Sequence, residues 1–413
     1  MRSDGAAETV HVPLGDRHDN APAVALLTAE GELLLGDEAH RRGLTEPEHL
    51  ITEFRRGVGD EVAFMIADNE VSAEQVFAQT VTRAIATITQ RKGSGAEIVT
   101  LTHPPAWGPH RTSLVQRATA ELGFNVELIS EPEALARHFD ARHHWQPGQV
   151  VIAFDLGGTG FEAAALRKQP GGFAVVGEPI SIDDLGGANF DDAIFRHVLA
   201  SAGLTAADLT GADARAALAQ LRRECVDAKE ALSVDTDVTI PVNLPGNRST
   251  VRLTRAEFEA MVEPTLDRTV DAVEELLEDA HLAITDVAAI LLTGGSSRIP
   301  RVAQRLSEAF DRPIVSDPDP KASVAMGAAT AALALFSERA AATGAELALP
   351  GEGQDAGQLQ PLSDAGRAEL VAAGFAVEES ARPTRWRPWL THAAVAVTGA
   401  AVVLVGGWLG GFT

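Results

Sequence analysis

The chain is 413 residues long, more than one ordinary domain holds, so a two-lobed body or two domains is expected. With 45% hydrophobic and 22% charged residues it is neither a wholly disordered nor a collagen-like polymer. Asp and Glu number 58 against 34 Lys and Arg, a net charge of -24, and that field repels phosphate backbones, so no nucleic-acid partner is expected. A small phosphate ligand stays open, because local loops rather than net charge grip it. The single cysteine, Cys225, offers neither an internal disulfide nor a zinc cluster, which suits the cytosol.

Short apolar runs predict strands at Val24 to Leu27, Leu33 to Leu35, Ile98 to Thr102, Val126 to Ile129, Val150 to Phe154, Phe161 to Leu166, Phe173 to Ile182 and Ile290 to Thr293. Amphipathic spacing predicts helices at Ala73 to Gln90, Arg111 to Leu122, Pro132 to Asp140, Phe190 to Ala200, Ala212 to Leu232, Arg255 to Glu278, Pro300 to Phe310 and Lys321 to Phe336. The alternation indicates an α/β protein. Ala141 to Gln149, with His143, His144 and Trp145, reads as a solvated connection between two lobes; His138 lies nearby, but the stretch lacks the close ligand spacing of a metal site.

Beyond Phe336 the pattern changes. Residues 338–381 read as a flexible acidic linker with a short helix at Gly366 to Ala373. Residues 390–412 contain no Asp, Glu, Lys or Arg, and as a helix would span roughly 34 Å, enough for a bilayer core. Arg382, Arg385 and Arg387 precede this run, and Trp386, Trp389 and Trp408 flank it, which matches a single-pass tail anchor with the body on the cytoplasmic face of the cell membrane.

Three turns carry the chemistry. Asp155-Leu156-Gly157-Gly158-Thr159-Gly160 joins two strands, so its backbone can approach a phosphate while Asp155 holds a hydrated divalent cation. Gly294-Gly295-Ser296-Ser297 follows a strand and leads through Arg298 and Ile299 to a helix opened by Pro300. Leu185-Gly186-Gly187 repeats the scheme before Phe190. There is no Gly-x4-Gly-Lys-Ser/Thr sequence, and the first turn does not open a helix, so neither a P-loop nor a dinucleotide fingerprint is present.

Residues 155–162 and 294–300 resemble the second phosphate loop (Asp-Leu-Gly-Gly-Gly-Thr-Phe-Asp) and the adenosine motif (Gly-Gly-Ser-Thr-Arg-Ile-Pro) of the DnaK-type heat-shock chaperones. Glu131-Pro132-Glu133-Ala134, Leu185-Gly186-Gly187, Leu221 to Ser233 and the stretch from Pro318-Asp319 to Ala329 are similar to further motifs of that family, in the same order. The resemblance implies an actin-like ATPase fold, two lobes each built on a ribonuclease-H-like mixed sheet with flanking helices. Lobe I would cover 10–140, lobe II 149–317, and residues 318–336 would return to lobe I as a helix.

It further implies ATP or ADP with Mg²⁺ in the cleft between the lobes. Asp155 would serve the metal and Glu131 the attacking water, with Arg55 where the family has its catalytic lysine. Gly157, Gly158 and Thr159 would surround the phosphates and Lys229, Ser233, Gly295, Ser296 and Arg298 the adenosine, with Gly186, Gly187, Gly294 and Asp319 also binding the cofactor. Thr102 to Trp107 resembles the family's Val-Pro-Ala-Tyr relay, with Arg111 near the place of its partner arginine.

The departures point the other way. Nothing before Val10 resembles the family's opening Asp-Leu-Gly-Thr-Thr loop, and nothing resembles its peptide-binding domain. Gly160 and Glu162 stand where the loop has Thr and Asp, and Val226 and Glu230 where the adenine helix has Glu and Arg. Two readings follow: a DnaK-like ATP-binding protein with weak hydrolysis and an unidentified client, or an actin-fold membrane scaffold with little or no ATPase activity. A sugar kinase on the same fold ranks last, because no sugar-binding signature is present.

Overall fold

The computed structural model describes residues 8–16, 20–92, 96, 98–124, 126–205, 212–342, 393–398 and 401–406. The N-terminal part contains β1 (Glu8–Val12), β2 (Ala25–Leu27), β3 (Leu33–Leu35), α1 (Asp37–Gly43), β4 (Leu50–Ile51), β5 (Phe64–Ile66), β6 (Asn69–Val71), α2 (Ala73–Lys92), β7 (Ile98–His103), α3 (Pro109–Glu121) and β8 (Val126–Ser130). α4 (Glu131–His143) leads to β9 (Val150–Leu156), β10 (Gly160–Gln169), β11 (Gly172–Asp183), α5 (Gly187–Ser201) and α6 (Ala212–Leu232). β12 (Asp237–Leu244), β13 (Asn247–Thr254), α7 (Arg255–Asp279), β14 (Val287–Thr293), α8 (Pro300–Phe310), β15 (Ile314–Ser316) and α9 (Ser323–Ala342) follow, and β16 (Ala393–Thr398) and β17 (Ala401–Gly406) end the described chain.

Two five-stranded sheets organise these elements. The second sheet runs β11-β10-β9-β14-β15, antiparallel through β9 and parallel from β9 to β15. The first runs β1-β17-β16-β7-β8 with the same sequence of directions, β1, β17 and β16 antiparallel and β16, β7 and β8 parallel. This is the mixed α/β arrangement expected of an actin-like ATPase.

Over 390–412 a membrane-spanning helix is not shown. Among these residues the twelve that are described form β16 and β17, and no described helix is long and apolar enough to cross a membrane. The run's Val-rich composition suits a strand as well as a span. Residues 338–342 of the expected linker instead continue α9, and the rest of the linker with its short helix lies outside the described residues. The hairpin of β12 and β13 and helix α1 were not anticipated.

Burial explains the central strands. Val150, Ile152 and Phe154 of β9 face the core of the second sheet, while Val151 and Ala153 face a separate cluster built from α4, α9 and β14. A strand covered on both sides must be apolar throughout, which is why it reads as an unbroken run. Phe154 meets Phe161 edge to face at 4.8 Å, each ring fully buried and contributing about 2–3 kcal/mol. Phe54, Phe77 and Trp107 belong to another core, beside the first sheet.

α4 and α9 pack directly on each other. A Cβ placed on Gly327 would lie 1.7 Å from the Ala134 carbonyl oxygen, so only glycine permits this approach. His138 of α4 bonds Asp317 at 2.9 Å, and Arg142 joins the same carboxylate at 3.1 Å. His144 ends α4 in the left-handed region, and His143 stacks on Trp145. These histidines are thus engaged in packing and ion pairing, and no group of three or more metal-binding side chains occurs among the described residues.

Gly327→Ala is expected to destabilise the protein by about 1–3 kcal/mol, because the two helix backbones must part to admit a methyl group. Urea denaturation monitored by circular dichroism measures the loss; an unchanged midpoint would show that the helices do not cross this closely.

Candidate functional site

The site forms where parallel strands end, the usual position of a ligand crevice in an α/β sheet. Asp155 stands near the end of β9, Glu131 opens α4 directly after β8, and Thr293 ends β14 immediately before Gly294. Ser130 caps α4 by accepting from the Glu133 amide at 3.4 Å, and Glu131 falls in the first turn, where the helix dipole favours a negative charge.

The three glycine turns meet in space. The Gly187 amide donates to the Gly157 carbonyl at 3.1 Å, and the Ala188 amide to that of Gly158 at 2.7 Å. Ser296 Oγ donates to the same Gly157 carbonyl at 2.8 Å, which ties the third turn to the first. A Cβ on Gly294 would lie 2.4 Å from Asp155 Oδ1, and one on Gly187 would lie 2.8 Å from Ser296 Oγ. Gly158 differs: a Cβ there would meet nothing within 4 Å, so its surface is open. Gly160 begins β10 opposite Asp183, and Thr159 is exposed at the turn.

Glu131, Asp155 and Glu162 line one cavity of about 10 Å³, together with Pro105, Thr293 and Val324. That is room for about one water-sized sphere. Arg55 Nη2 donates to Glu131 Oε1, and Arg55 Nε is buried without a hydrogen-bond partner. Burial works against the charge on Arg55, but Glu131, with Glu162 and Asp155 behind it, outweighs that and raises its pKa. Burial, then the Glu131 charge, pushes Asp155 up to about 7. Glu162 rises to about 8 for the same first reason, aided by Glu131 and Asp155. Three acids against one guanidinium make a cation-attracting site.

Beside the second turn, Lys229 lies 2.8 Å from Asp191, and the hydroxyl of Ser233 bonds the Lys229 carbonyl at 3.5 Å. Arg298 pairs with Asp319 at 2.9 Å. Lys321 approaches Gly295, since a Cβ there would come 3.1 Å from its Cε. Sequence reasoning thus located the glycines and Asp155, Glu131 and Arg55 in a common region. It treated Glu162 only as a departure and missed Asp191 as the counterion of Lys229. It also missed Arg56, which reaches the Thr159 carbonyl at 3.2 Å and Asp183 at 3.2 Å; its only local signal was its place beside Arg55.

The residues fit the ligands expected from sequence. Hard carboxylate oxygens suit Mg²⁺, and since the described side chains form no cage of three, a hydrated ion on Asp155 would complete its shell with water and phosphate. The open face of Gly158 and the orphan Nε of Arg55 suit a phosphate beside it.

Between about pH 4 and 8 the folded protein holds protons on Asp155 and Glu162 that the unfolded chain has released, so stability falls as pH rises through that window. Glu162→Gln is expected to flatten this decline and to exceed the parent in stability at about pH 8.5 by on the order of 1 kcal/mol. Urea unfolding between about pH 6 and 8.5 measures it; parallel profiles would show that Glu162 is already ionised.

Comparison with known proteins agrees with the geometry. The sequence profile described as Hsp70 protein matches residues 61–343. The chaperone protein DnaK of Nitrosopumilus maritimus is 27% identical over 320 residues, 75% of this chain and 49% of that protein. That of Halobacterium salinarum is 29% identical over 308 residues, 73% of this chain and 48% of that protein. A chaperone protein HscA homolog of Burkholderia pseudomallei is 28% identical over 340 residues, covering 77% and 54%. The chain therefore spans about half the length of the curated relatives it matches. Since the profile covers well over half of the chain and includes all three converging glycine turns, this protein belongs to the Hsp70 family.

Proposed function

We propose that the chain is a DnaK-like ATP-binding protein that takes ATP or ADP with Mg²⁺ in the cleft and hydrolyses ATP slowly. The observation that carries this reading is the convergence of three glycine turns beside a half-buried acid cluster short of positive charge. Asp155 would hold the hydrated cation, and Gly157, Gly158, Thr159, Gly186 and Gly187 the phosphates. Gly294, Gly295, Ser296 and Arg298 would take the nucleoside side, with Lys229, Ser233 and Asp319 around it. When bound, Mg²⁺ supplies charge neutralisation at the phosphates. Glu131 would orient water, and its ion pair with Arg55 opposes that task by holding the carboxylate on a broad guanidinium fork. The names of the relatives make a chaperone-related role with a protein client part of the proposal.

One set of contacts favours a scaffold with little ATPase activity. Arg55, Lys229 and Arg298 are each paired with a carboxylate of the protein itself, Glu131, Asp191 and Asp319. A ligand must displace those partners. Attachment at the cytoplasmic face of the membrane rests on the uncharged run 390–412 with its arginines and tryptophans. The strand pairing of Ala393–Thr398 and Ala401–Gly406 is a competing placement of the same residues. Flotation of the full chain with membranes, resistant to carbonate, supports the anchor; recovery in the soluble fraction rejects it.

Calorimetric titration of the full chain with ADP in millimolar Mg²⁺ is expected to show binding to one site; no heat for either ADP or ATP would leave the scaffold. Gly158→Ala should keep the melting temperature, since nothing stands within 4 Å of the new methyl, yet weaken ADP binding about tenfold or more by holding the phosphate off the backbone. Arg55→Lys is expected to raise single-turnover ATP hydrolysis about tenfold, since a compact ammonium frees Glu131 from the fork. An unchanged rate would exonerate the arginine.

A further inference from the structure

The hairpin of β16 and β17 sits inside the first sheet rather than at its edge. β17 pairs antiparallel with β1, from Glu8 opposite Gly406 to Val12 opposite Val402, and β16 pairs parallel with β7, from Ala394 opposite Ile98 to Val397 opposite Leu101. Helices α2 and α9 both lie against the two strands. A strand enclosed in this way must be free of charge, and Ala393–Thr398 and Ala401–Gly406 contain no charged residue. The second sheet shows what this slot can carry. Its hairpin of β9 and β10 holds the same place in the order, between β14 and β11, and bears the turn with Asp155.

The same residues form the middle of the uncharged run 390–412, which supports a membrane anchor. The two placements exclude each other by backbone accounting. In the sheet an amide of the hairpin donates across to a neighbouring strand, in a spanning helix to the carbonyl four residues back, and a bilayer core tolerates no amide without a partner. We infer that membrane insertion and a complete first sheet are alternative states of this chain, exchanged by moving one hairpin. The inference rests on the reading of 390–412 as a membrane anchor, whereas the docked state rests on the strand pairing alone.

Withdrawal of the hairpin has a defined cost. Among the described strands β1 has only β17 as its sheet neighbour, so Glu8–Val12 lose their ladder, whereas β7 keeps β8 and gains an open edge. β7 leads to Pro105, which lines the cavity of Glu131, Asp155 and Glu162, so the loosened strand borders the candidate site. The gain in the bilayer is modest, because the run draws on Ala, Gly and Val more than on Leu or Phe. Neither placement overwhelms the other, which is what a reversible element requires. By linkage, whatever steadies the first sheet draws the chain off the membrane, and lipid loosens the sheet to the same degree.

A cross-link tests the exchange in the full chain. Val10 and Leu404 stand opposite each other in the antiparallel ladder, where Cα atoms lie about 4.5–5.5 Å apart, within reach of a disulfide. The Val10→Cys, Leu404→Cys chain, once oxidised, is expected to stay soluble when mixed with vesicles of phosphatidylcholine and phosphatidylglycerol, and to float with them after reduction, as the parent does. Hydrogen exchange over residues 8–12 of the parent should quicken about tenfold or more on the vesicles, with residues 150–156 unchanged. Thr9→Cys, Val405→Cys, the next pair along the ladder, repeats the test from the other face of the sheet. Flotation of a chain that is still cross-linked, or unchanged exchange over 8–12 in the bound parent, overturns the switch. So does a parent that floats while neither cysteine pair closes within one chain, and the anchor then stands. Cysteine pairs that close in a chain that never floats, even when reduced, overturn the anchor reading and the switch with it, leaving a fixed hairpin.

Discussion

Three carboxylates, Glu131, Asp155 and Glu162, lie around one small cavity with Arg55 as the guanidinium among them, and the rest of the site follows from that imbalance. The fold enforces it. β8 delivers Glu131, β9 delivers Asp155 and β10 delivers Glu162, each near the end of a strand whose position the cores beneath hold fixed. An unpaired buried carboxylate costs several kcal/mol, and three cannot share one counterion without relief. Without a ligand the relief is protonation, seen in the upward shifts of Asp155 and Glu162. A cation would provide it instead, which makes proton release the natural companion of metal binding.

Much of the body was legible because its signals are local. Strands β9 and β14 are apolar on both faces along most of their length, and helices such as α7 begin with a side-chain cap, here Thr254 with Glu257 returning the bond. The hairpin of β12 and β13 escaped a search for unbroken apolar runs because Val238, Ile240, Val242 and Leu244 alternate with Thr239, Pro241 and Asn243, a two-residue period rather than a run. Residues 390–412 carry a signal that two structures share. A stretch of Ala, Val and Gly without charge satisfies the hydropathy of a span and the propensity of a strand equally well, and only the partner decides. In the described residues the partners are β7 and β1.

The same division runs through the site. Glycine turns and strand-end acids are visible as motifs because backbone chemistry demands those residue types at those places. The contacts of Arg56 are not visible in that way. Its partners Thr159 and Asp183 stand more than a hundred residues further along the chain, and nothing in a charged pair of ordinary surface type marks it beforehand. Likewise Lys229 was legible as a cation on a helix face, whereas its attachment to Asp191 depends on how α5 and α6 pack.

That every proposed cationic ligand group is already paired has a consequence for affinity. Arg55, Lys229 and Arg298 must each exchange a fixed carboxylate for the ligand, so the binding-competent arrangement is a fraction of the population and the apparent dissociation constant rises by that fraction. The three pairs do not weigh equally. Arg298 and Asp319 are nearly half exposed and exchange cheaply in screened surroundings, whereas Arg55 and Glu131 are deeper, and parting them strands a charge among the other two acids. On the proposed reading the Arg298 pair would therefore exchange first, and the deeper Lys229–Asp191 and Arg55–Glu131 pairs last. On the proposed nucleotide reading, an arginine at position 55 would therefore weigh more on the step that needs Glu131 free than on binding.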